Sequence, residues 1–342
     1  MTIRGPRGAF AGLEAQPATG VCERRPALLI PGFTGSKEDF IPVLQPLASA
    51  GRRVVAVDMR GQYQSPGATS PAGYAPDELA ADITAIIDAL AGDGQGMHLV
   101  GHSLGGLIAR EVTLARTARI ISLTLLGSGP GRITGERAEM LRGMLAIVAA
   151  ADGPGPEDSP GTPDGRLPPD HLLRAIIAQI WDEHLGPQAR ADGVPEPMIA
   201  FLHRRMMGNS PAGLVTMGRY LLACPDRTAE LASLGGPPIL VLYGENDDAW
   251  RPAVQERMAR RLGAQRVCIP GAGHSPPVEA PETTASTLTA FWRTAEDSER
   301  RGSGHAVSGG TPATRLAAGS AASPSHGWRA SEAALPSGQR AR

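Results

Sequence analysis

One serine stands among glycines in Gly101-His102-Ser103-Leu104-Gly105, after the apolar run "MHLV" and before the helix-like "GLIAREVTLA". A loop serine can simply cap the following helix, but capping leaves the surrounding glycines unexplained. Strand, sharp turn and helix is the setting in which G-x-S-x-G presents a nucleophile. Small residues two before and two after Ser103 let strand and helix approach closely, and the helix N-terminus favours negative charge developing nearby. A serine hydroxyl needs a general base at neutral pH. Of eight histidines, His274 in "PGAGHSPPVEAPE" follows the last apolar run and precedes a helical one. A loop histidine there reaches the mouth of a sheet. His102, next to the serine, should point away and pack. His171, His184 and His203 fall on helical patterns with surface positions expected, His98 begins a strand, and His305 and His326 lie near the C-terminal end. The base needs an acid to hold its tautomer, and "LYGENDDAWRP" offers Glu245, Asp247 and Asp248.

The elements that must position these residues are short runs rich in Val, Ile and Leu: 27–32, 53–58, 97–101, 119–127, 238–244 and 266–271. Continuous apolarity implies strands buried on both faces of a parallel sheet. Amphipathic stretches such as 77–91 and 253–263 separate them, which implies an α/β layer fold. "TIRGPRGAFAGLEA" reads as a short leading hairpin. The alternation stops after residue 127, and only helical patterns appear from 129 to 236, interrupted by the Pro/Gly/Asp-rich stretch 152–170, read as a loop. We therefore expect a core at 1–128 and 237–295, a helical insertion at 129–236, and a disordered tail at 296–342 that lacks large apolar side chains.

The formal net charge is -1. That near-zero balance argues against a nucleic-acid or polybasic membrane partner, since phosphate binding needs a concentrated basic surface. Lys37 is the only lysine, which reads as an even compositional bias towards arginine. Cys22, Cys224 and Cys268 form no C-x-x-C pair and no disulfide framework. The N-terminal stretch lacks the apolar run of a signal peptide and nothing approaches a membrane span, so a cytoplasmic protein is expected. Its oligomeric state is left open.

Together the serine turn, the order of serine, acid and histidine, and their strand contexts resemble the α/β-hydrolase superfamily over about residues 2 to 294. The resemblance implies a mostly parallel sheet flanked by helices, with a helical cap inserted after the sixth strand. It places the catalytic acid three residues after the strand-ending Gly244, at Asp247, with Asp248 as loop or cap support. The family's other acid position follows the sixth strand, where "LLGSGP" offers Ser128 and no carboxylate. In "IPGFTGS" Pro31 stands where the family often has histidine, and the resemblance assigns the oxyanion hole to the backbone N–H groups of Phe33 and Leu104. In "DMRGQYQSPG" Tyr63 replaces a glycine of the family turn. It must take a different backbone geometry or turn its ring outward.

No cofactor is expected: "GSGPG" (127–131) leads into no phosphate-binding helix, and no histidine or cysteine spacing suits a metal. Met140, Met144, Met198, Met206, Met207 and Met217 lie in the insertion with Trp181, Phe201 and Tyr220, so an adaptable apolar pocket is a reading beside ordinary helix packing. The resemblance implies a serine hydrolase acting on a carboxylic ester of a small, largely apolar substrate. C–C bond hydrolysis, acyl transfer and cofactor-free peroxidation share the same triad, and a ligand-binding receptor with slow turnover is the reading outside the enzyme class. Epoxide hydrolases and dehalogenases of the superfamily carry aspartate at the position of Ser103.

Overall fold

The computed structural model describes residues 1–18, 20, 22, 24–91, 96–116, 118–150 and 167–304. The leading hairpin segment forms β1 (Thr2–Gly5) and β2 (Gly8–Ala15), and each of the six apolar runs forms a strand: β3 (Ala27–Ile30), β4 (Val54–Val57), β5 (Met97–His102), β6 (Ile120–Leu126), β7 (Ile239–Gly244) and β8 (Gln265–Ile269). They join one eight-stranded sheet in the order β1-β2-β4-β3-β5-β6-β7-β8. The leading hairpin is antiparallel, and β2 pairs antiparallel with β4. From β4 to β8 every pair is parallel.

The continuous apolarity of these strands has a direct cause. Leu28 and Ile30 of β3 face one buried cluster, while Ala27 and Leu29 face the other. The first cluster takes in the helices Pro76–Ala91 and Leu104–Ala115 through residues such as Ile83 and Ile108. The second takes in Ile41–Ser49 and the start of Pro281–Gly304, through Leu47, Leu288 and Trp292. Alternate side chains therefore point to opposite faces, and both faces are dry.

The chain leaves β3 towards β4 and then returns past β3 to lay down β5. The order reverses between β3 and β5, where a crevice opens beyond the strand ends. Ile30 pairs in register with Gly101, so the loop after β3 and the turn after β5 emerge side by side.

Between β6 and β7 the described residues contain helices and no strand: Glu136–Ala150, Asp170–Ile180, Gly186–Ala191, Glu196–Gly208, Pro211–Ala223 and Thr228–Ser233. A π-turn at Trp181–Leu185 joins the second to the third. Most of the expected loop at 152–170 lies outside the described residues. Among them, no helix is long and apolar enough to cross a membrane.

The C-terminal boundary expected at 296 is corrected. The last helix runs to Gly304, and Glu296 is buried within it. Its carboxylate accepts from Arg52 Nη1 at 2.9 Å and from Arg24 Nη1 at 3.1 Å. Ion pairing anchors a helical turn that composition alone assigns to a solvated tail. Residues 305–342 lie outside the described residues.

Candidate active site

Ser103 occupies the turn between β5 and the helix Leu104–Ala115 with φ 55° and ψ -119°. A non-glycine residue held there is strained, and close packing leaves no other path for the chain. A Cβ on Gly105 would lie 2.5 Å from the carbonyl oxygens of both Ile30 and Pro31. Ser128 Oγ donates to the Ser103 carbonyl oxygen at 2.8 Å.

The hydroxyl of Ser103 meets His274 Nε2 at 3.0 Å. On the other side of the ring, His274 Nδ1 donates to Asp247 Oδ1 at 3.0 Å. Asp247, buried after β7, also accepts from Ala249 N at 2.9 Å and Trp250 N at 3.3 Å, and its Oδ2 accepts from Gln255 Nε2 at 2.8 Å. These bonds fix the carboxylate against rotation. The other two acids have different work. Glu245 accepts from Gly271 N, and Asp248 pairs with Arg137 at 2.8 Å. An acid, an imidazole and a hydroxyl in this order can pull the hydroxyl proton onto Nε2 and stabilise the imidazolium that results.

Phe33 follows Gly32, which packs against Ser103, and Leu104 follows Ser103 in the chain. A Cβ on Gly32 would lie 3.1 Å from Ser103 Cβ, and Leu104 opens the helix after Ser103. Among the described residues, neither backbone N–H donates to a protein acceptor.

A family model described as the alpha/beta hydrolase family matches residues 27–287, from β3 into the last helix. The chain belongs to the alpha/beta hydrolase family. It is 41% identical over 109 residues to a Variovorax paradoxus (strain S110) protein named as a carbamate hydrolase, covering 32% of this chain and 40% of that one. It is 29% identical over 272 residues to a dihydrolipoyllysine-residue acetyltransferase component of an acetoin cleaving system from Pseudomonas putida, covering 78% and 63%. The chain thus spans less than two thirds of either relative. Its fold is similar to that of an enol-lactonase from Burkholderia xenovorans LB400, with TM-score 0.62 at 19% identity over 85% of this chain and 99% of that one. A thermophilic esterase from Thermogutta terrifontis gives TM-score 0.60 at 22% identity over 86% and 98%.

In this α/β-hydrolase a cavity of about 580 Å³ lies over Ser103 and His274. Helices between β6 and β7 supply most of its apolar lining, including Met140, Met144 and Met206. Met198 is exposed, Met217 belongs to the core, and Trp181, Phe201 and Tyr220 are absent from the lining. Leu185, at the end of the π-turn, lines the cavity while His184 stays exposed. His171 and His203 are exposed as well. Two charged pairs border the cavity, Arg137 with Asp248 and Arg205 with Asp39.

Three other positions are informative. His102 is buried, and its Nε2 donates to the His274 carbonyl oxygen at 2.8 Å. Burial and the nearby His274 push it down to about 3, so it is neutral. Tyr63 keeps a left-handed backbone, with φ 37°. Its ring lies under Lys37 Nζ at 5.0 Å and edge-on to Phe201 at 6.0 Å, away from the cavity lining. Lys37 is itself buried, and its Nζ pairs with Asp58 Oδ2 at 2.8 Å. The glycines of "GSGPG" make room for the acid loop: the Trp250 ring packs against Gly129, and its Nε1 donates to the Gly131 carbonyl oxygen at 3.0 Å. Among the described residues, no group of three or more histidine, cysteine or acidic side chains is arranged to hold a metal ion.

Proposed function

We propose that this α/β-hydrolase is a serine hydrolase that cleaves a carboxylic ester of a small, largely apolar substrate through an acyl-enzyme. The observation that carries this reading is the continuous hydrogen-bonded chain Asp247–His274–Ser103 facing a largely apolar cavity. Ser103 Oγ attacks the carbonyl carbon and His274 Nε2 takes its proton. The carbonyl oxygen, now an anion, accepts from the Phe33 and Leu104 N–H groups. Removing one such donor costs about 10²–10³ in rate. His274 returns the proton to the departing alkoxide, the C–O bond breaks, and the acyl group stays on Ser103. Water then attacks the acyl-enzyme with His274 as base, releasing the acid and restoring the serine. Asp247 holds His274 in the tautomer that leaves Nε2 free to accept. The helices between β6 and β7 serve as a cap that supplies the apolar lining of the substrate cavity.

Intact mass after treatment with a fluorophosphonate tests the reading. Wild type should gain one adduct, Ser103→Ala none, and His274→Ala should label far more slowly. Folded wild type that does not label would overturn it. A carbamate reading has one specific support, the similarity to the protein named as a carbamate hydrolase. Its reacting carbonyl has the same shape as that of an ester, so a panel of matched aryl esters and aryl carbamates separates the two by relative kcat/KM.

A further inference from the structure

Each proposed oxyanion donor belongs to a peptide whose other end is gripped by a buried side chain. The Phe33 N–H shares its peptide with the Gly32 carbonyl, and the Leu104 N–H shares its peptide with the Ser103 carbonyl. A trans peptide is planar, with C=O and N–H pointing in opposite directions, so fixing the carbonyl fixes the N–H. Gln62 Nε2 donates to Gly32 O at 2.7 Å, and Ser128 Oγ donates to Ser103 O at 2.8 Å. Both side chains belong to fully buried residues.

The two peptides differ in what else holds them. Ser103 O also accepts from Gly106 N at 2.9 Å and from Leu107 N at 3.4 Å. These are bonds of the helix that Leu104 opens, so this peptide stays in place without Ser128. Among the described residues, Gly32 O has one further donor, Gly35 N at 3.2 Å. That donor lies three residues along the same loop and moves with it. Gly32 sits close to the nucleophile: a Cβ there would lie 3.1 Å from Ser103 Cβ and 3.2 Å from His102 Nδ1. Without a Cβ its backbone has a wide choice of ψ, and the next peptide can rotate unless a group outside the loop holds it.

Gln62 is such a group. It lies after β4 in "DMRGQYQSPG", and its amide has a single workable orientation. Oε1 accepts from Met59 N at 2.9 Å. A flipped amide would set donor against donor at Met59 and acceptor against acceptor at Gly32. The Gln62 backbone is pinned as well, its N donating to Met59 O at 2.9 Å and its O accepting from Ser65 N at 2.8 Å.

We propose that Gln62 is a positioning residue for hydrolysis, holding the Gly32–Phe33 peptide so that the Phe33 N–H stays aimed at the oxygen that gains charge when Ser103 attacks. A donor on the carbonyl end also polarises the peptide and strengthens its N–H, by about 10–30%. This role rests on the acyl-enzyme reading and on Phe33 as an oxyanion donor. Gln62 does not line the cavity, so it acts on the rate through Phe33 and not on substrate binding.

Steady-state hydrolysis of p-nitrophenyl butyrate tests it. Gln62→Met should lower kcat by about 10²-fold, the lower end of what losing one oxyanion donor costs, with KM little changed. Gln62→Glu separates positioning from bracing of the Met59 turn. Its carboxylate still accepts from Met59 N but has no hydrogen for Gly32 O, so at pH 9 it should be as slow as Gln62→Met. Ser128→Ala should lose far less, since two helix N–H groups remain on Ser103 O. A second readout is inhibition by 2,2,2-trifluoroacetophenone. Ser103 Oγ adds to its carbonyl carbon, the hydroxyl proton passes to His274, and the former carbonyl oxygen keeps the charge as a hemiketal alkoxide. Its Ki should rise about as much as kcat falls in each Gln62 variant. Urea midpoints establish that each variant is folded under assay conditions. A Gln62 variant as fast as wild type, or a loss confined to KM with Ki unchanged, would overturn the positioning role and leave the hydrolytic reading intact. Wild type that neither cleaves the ester nor binds the ketone would remove both.

Discussion

His102 Nε2 donates to the backbone carbonyl oxygen of His274 at 2.8 Å, so the residue beside the nucleophile fixes the loop that carries the imidazole. The two rings lie 4.9 Å apart between centroids. Because His102 stays neutral down to about pH 3, this bond does not switch over the range in which an ordinary histidine titrates.

Replacing His102 by leucine should therefore lower kcat, since a misplacement of about 1 Å can cost about 10²-fold. It also leaves a buried carbonyl unpaired, at about 1–3 kcal/mol of stability. His102→Gln keeps an N–H donor and should recover most of the rate. Steady-state kinetics of both variants, with urea midpoints, separates positioning from stability. Equal activity in leucine and glutamine variants would sink the positioning role.

The acid side of the chain gives a second test. Asp247→Asn preserves shape but loses the charge and reverses tautomer control, and a comparable change in a serine protease costs about 10⁴ in kcat. Gln255 is fully buried and bonds both Asp247 Oδ2 and the Trp250 carbonyl oxygen, each from Nε2. Gln255→Leu should cost about 1–3 kcal/mol of stability and reduce kcat much less than Asp247→Asn, with KM little changed. A Gln255→Leu enzyme as slow as Asp247→Asn would show that Asp247 is held by Gln255 alone, despite its two backbone donors.

The strands and the order of the chemistry-bearing residues were legible because burial on both sheet faces leaves an unbroken apolar run, and because a close-packed turn demands small residues at Gly101 and Gly105. What escaped was pairing between distant charges. Glu296 looks solvated in "TAEDSERR", yet it lies against Arg52, a partner 244 residues away. Lys37 reads as a compositional remnant until Asp58 is seen beside it. Tyr63 was expected to abandon the glycine geometry or point outward. It keeps the left-handed backbone because Lys37, Phe201 and the Gly208 region enclose its ring. For His102 the spacing implies a side chain that points away from Ser103 and packs; in the structure the residue lines the same cavity as Ser103, and its Nε2 donates to the His274 carbonyl oxygen.

The buried charges make acid stability a third test. His98 Nδ1 accepts from Ser122 Oγ at 2.8 Å, and Nε2 donates to Glu296 Oε1 at 3.1 Å. Burial pushes His98 down to about 4 from its ordinary 6.5. Below pH 6.5 the unfolded chain takes a proton that the folded protein refuses, so stability falls until about pH 4. The slope is about 1.4 kcal/mol per pH unit for such a histidine, and His102 acts in the same direction. For Glu296, burial opposes ionisation, but the His98 hydrogen bond and Arg52 outweigh it and hold the carboxyl at about 2. Its contribution is complete above about pH 4.5 and is lost as pH falls towards 2. Urea midpoints at pH 7, 6 and 5 should decline, and His98→Gln should flatten that decline. Parallel curves for wild type and His98→Gln would exclude His98 as a source.

The turn at Ser103 allows a fourth test, because its two following glycines face different obstacles. A Cβ on Gly105 meets the carbonyl oxygens of Ile30 and Pro31 at 2.5 Å. Those atoms are backbone at and just past the end of β3, a strand held between β4 and β5 in the middle of the sheet, and have little room to move. Gly105→Ala should cost more than about 3 kcal/mol, the upper range for overpacking, and no single second substitution should restore it. A Cβ on Gly106 instead meets Ser128 Cβ and Oγ at 2.5 Å, with the Gly101 carbonyl oxygen further off at 2.9 Å. Gly106→Ala should be destabilising on its own. Combined with Ser128→Gly it should recover about half of its cost, even though Ser103 then loses the donor on its carbonyl oxygen. Urea unfolding of the two single variants and the double variant gives the coupling as a double-mutant cycle, and contacting residues commonly couple by about 0.5–3 kcal/mol. Additive costs would mean that Gly101, not Ser128, sets the limit on how closely the helix can approach.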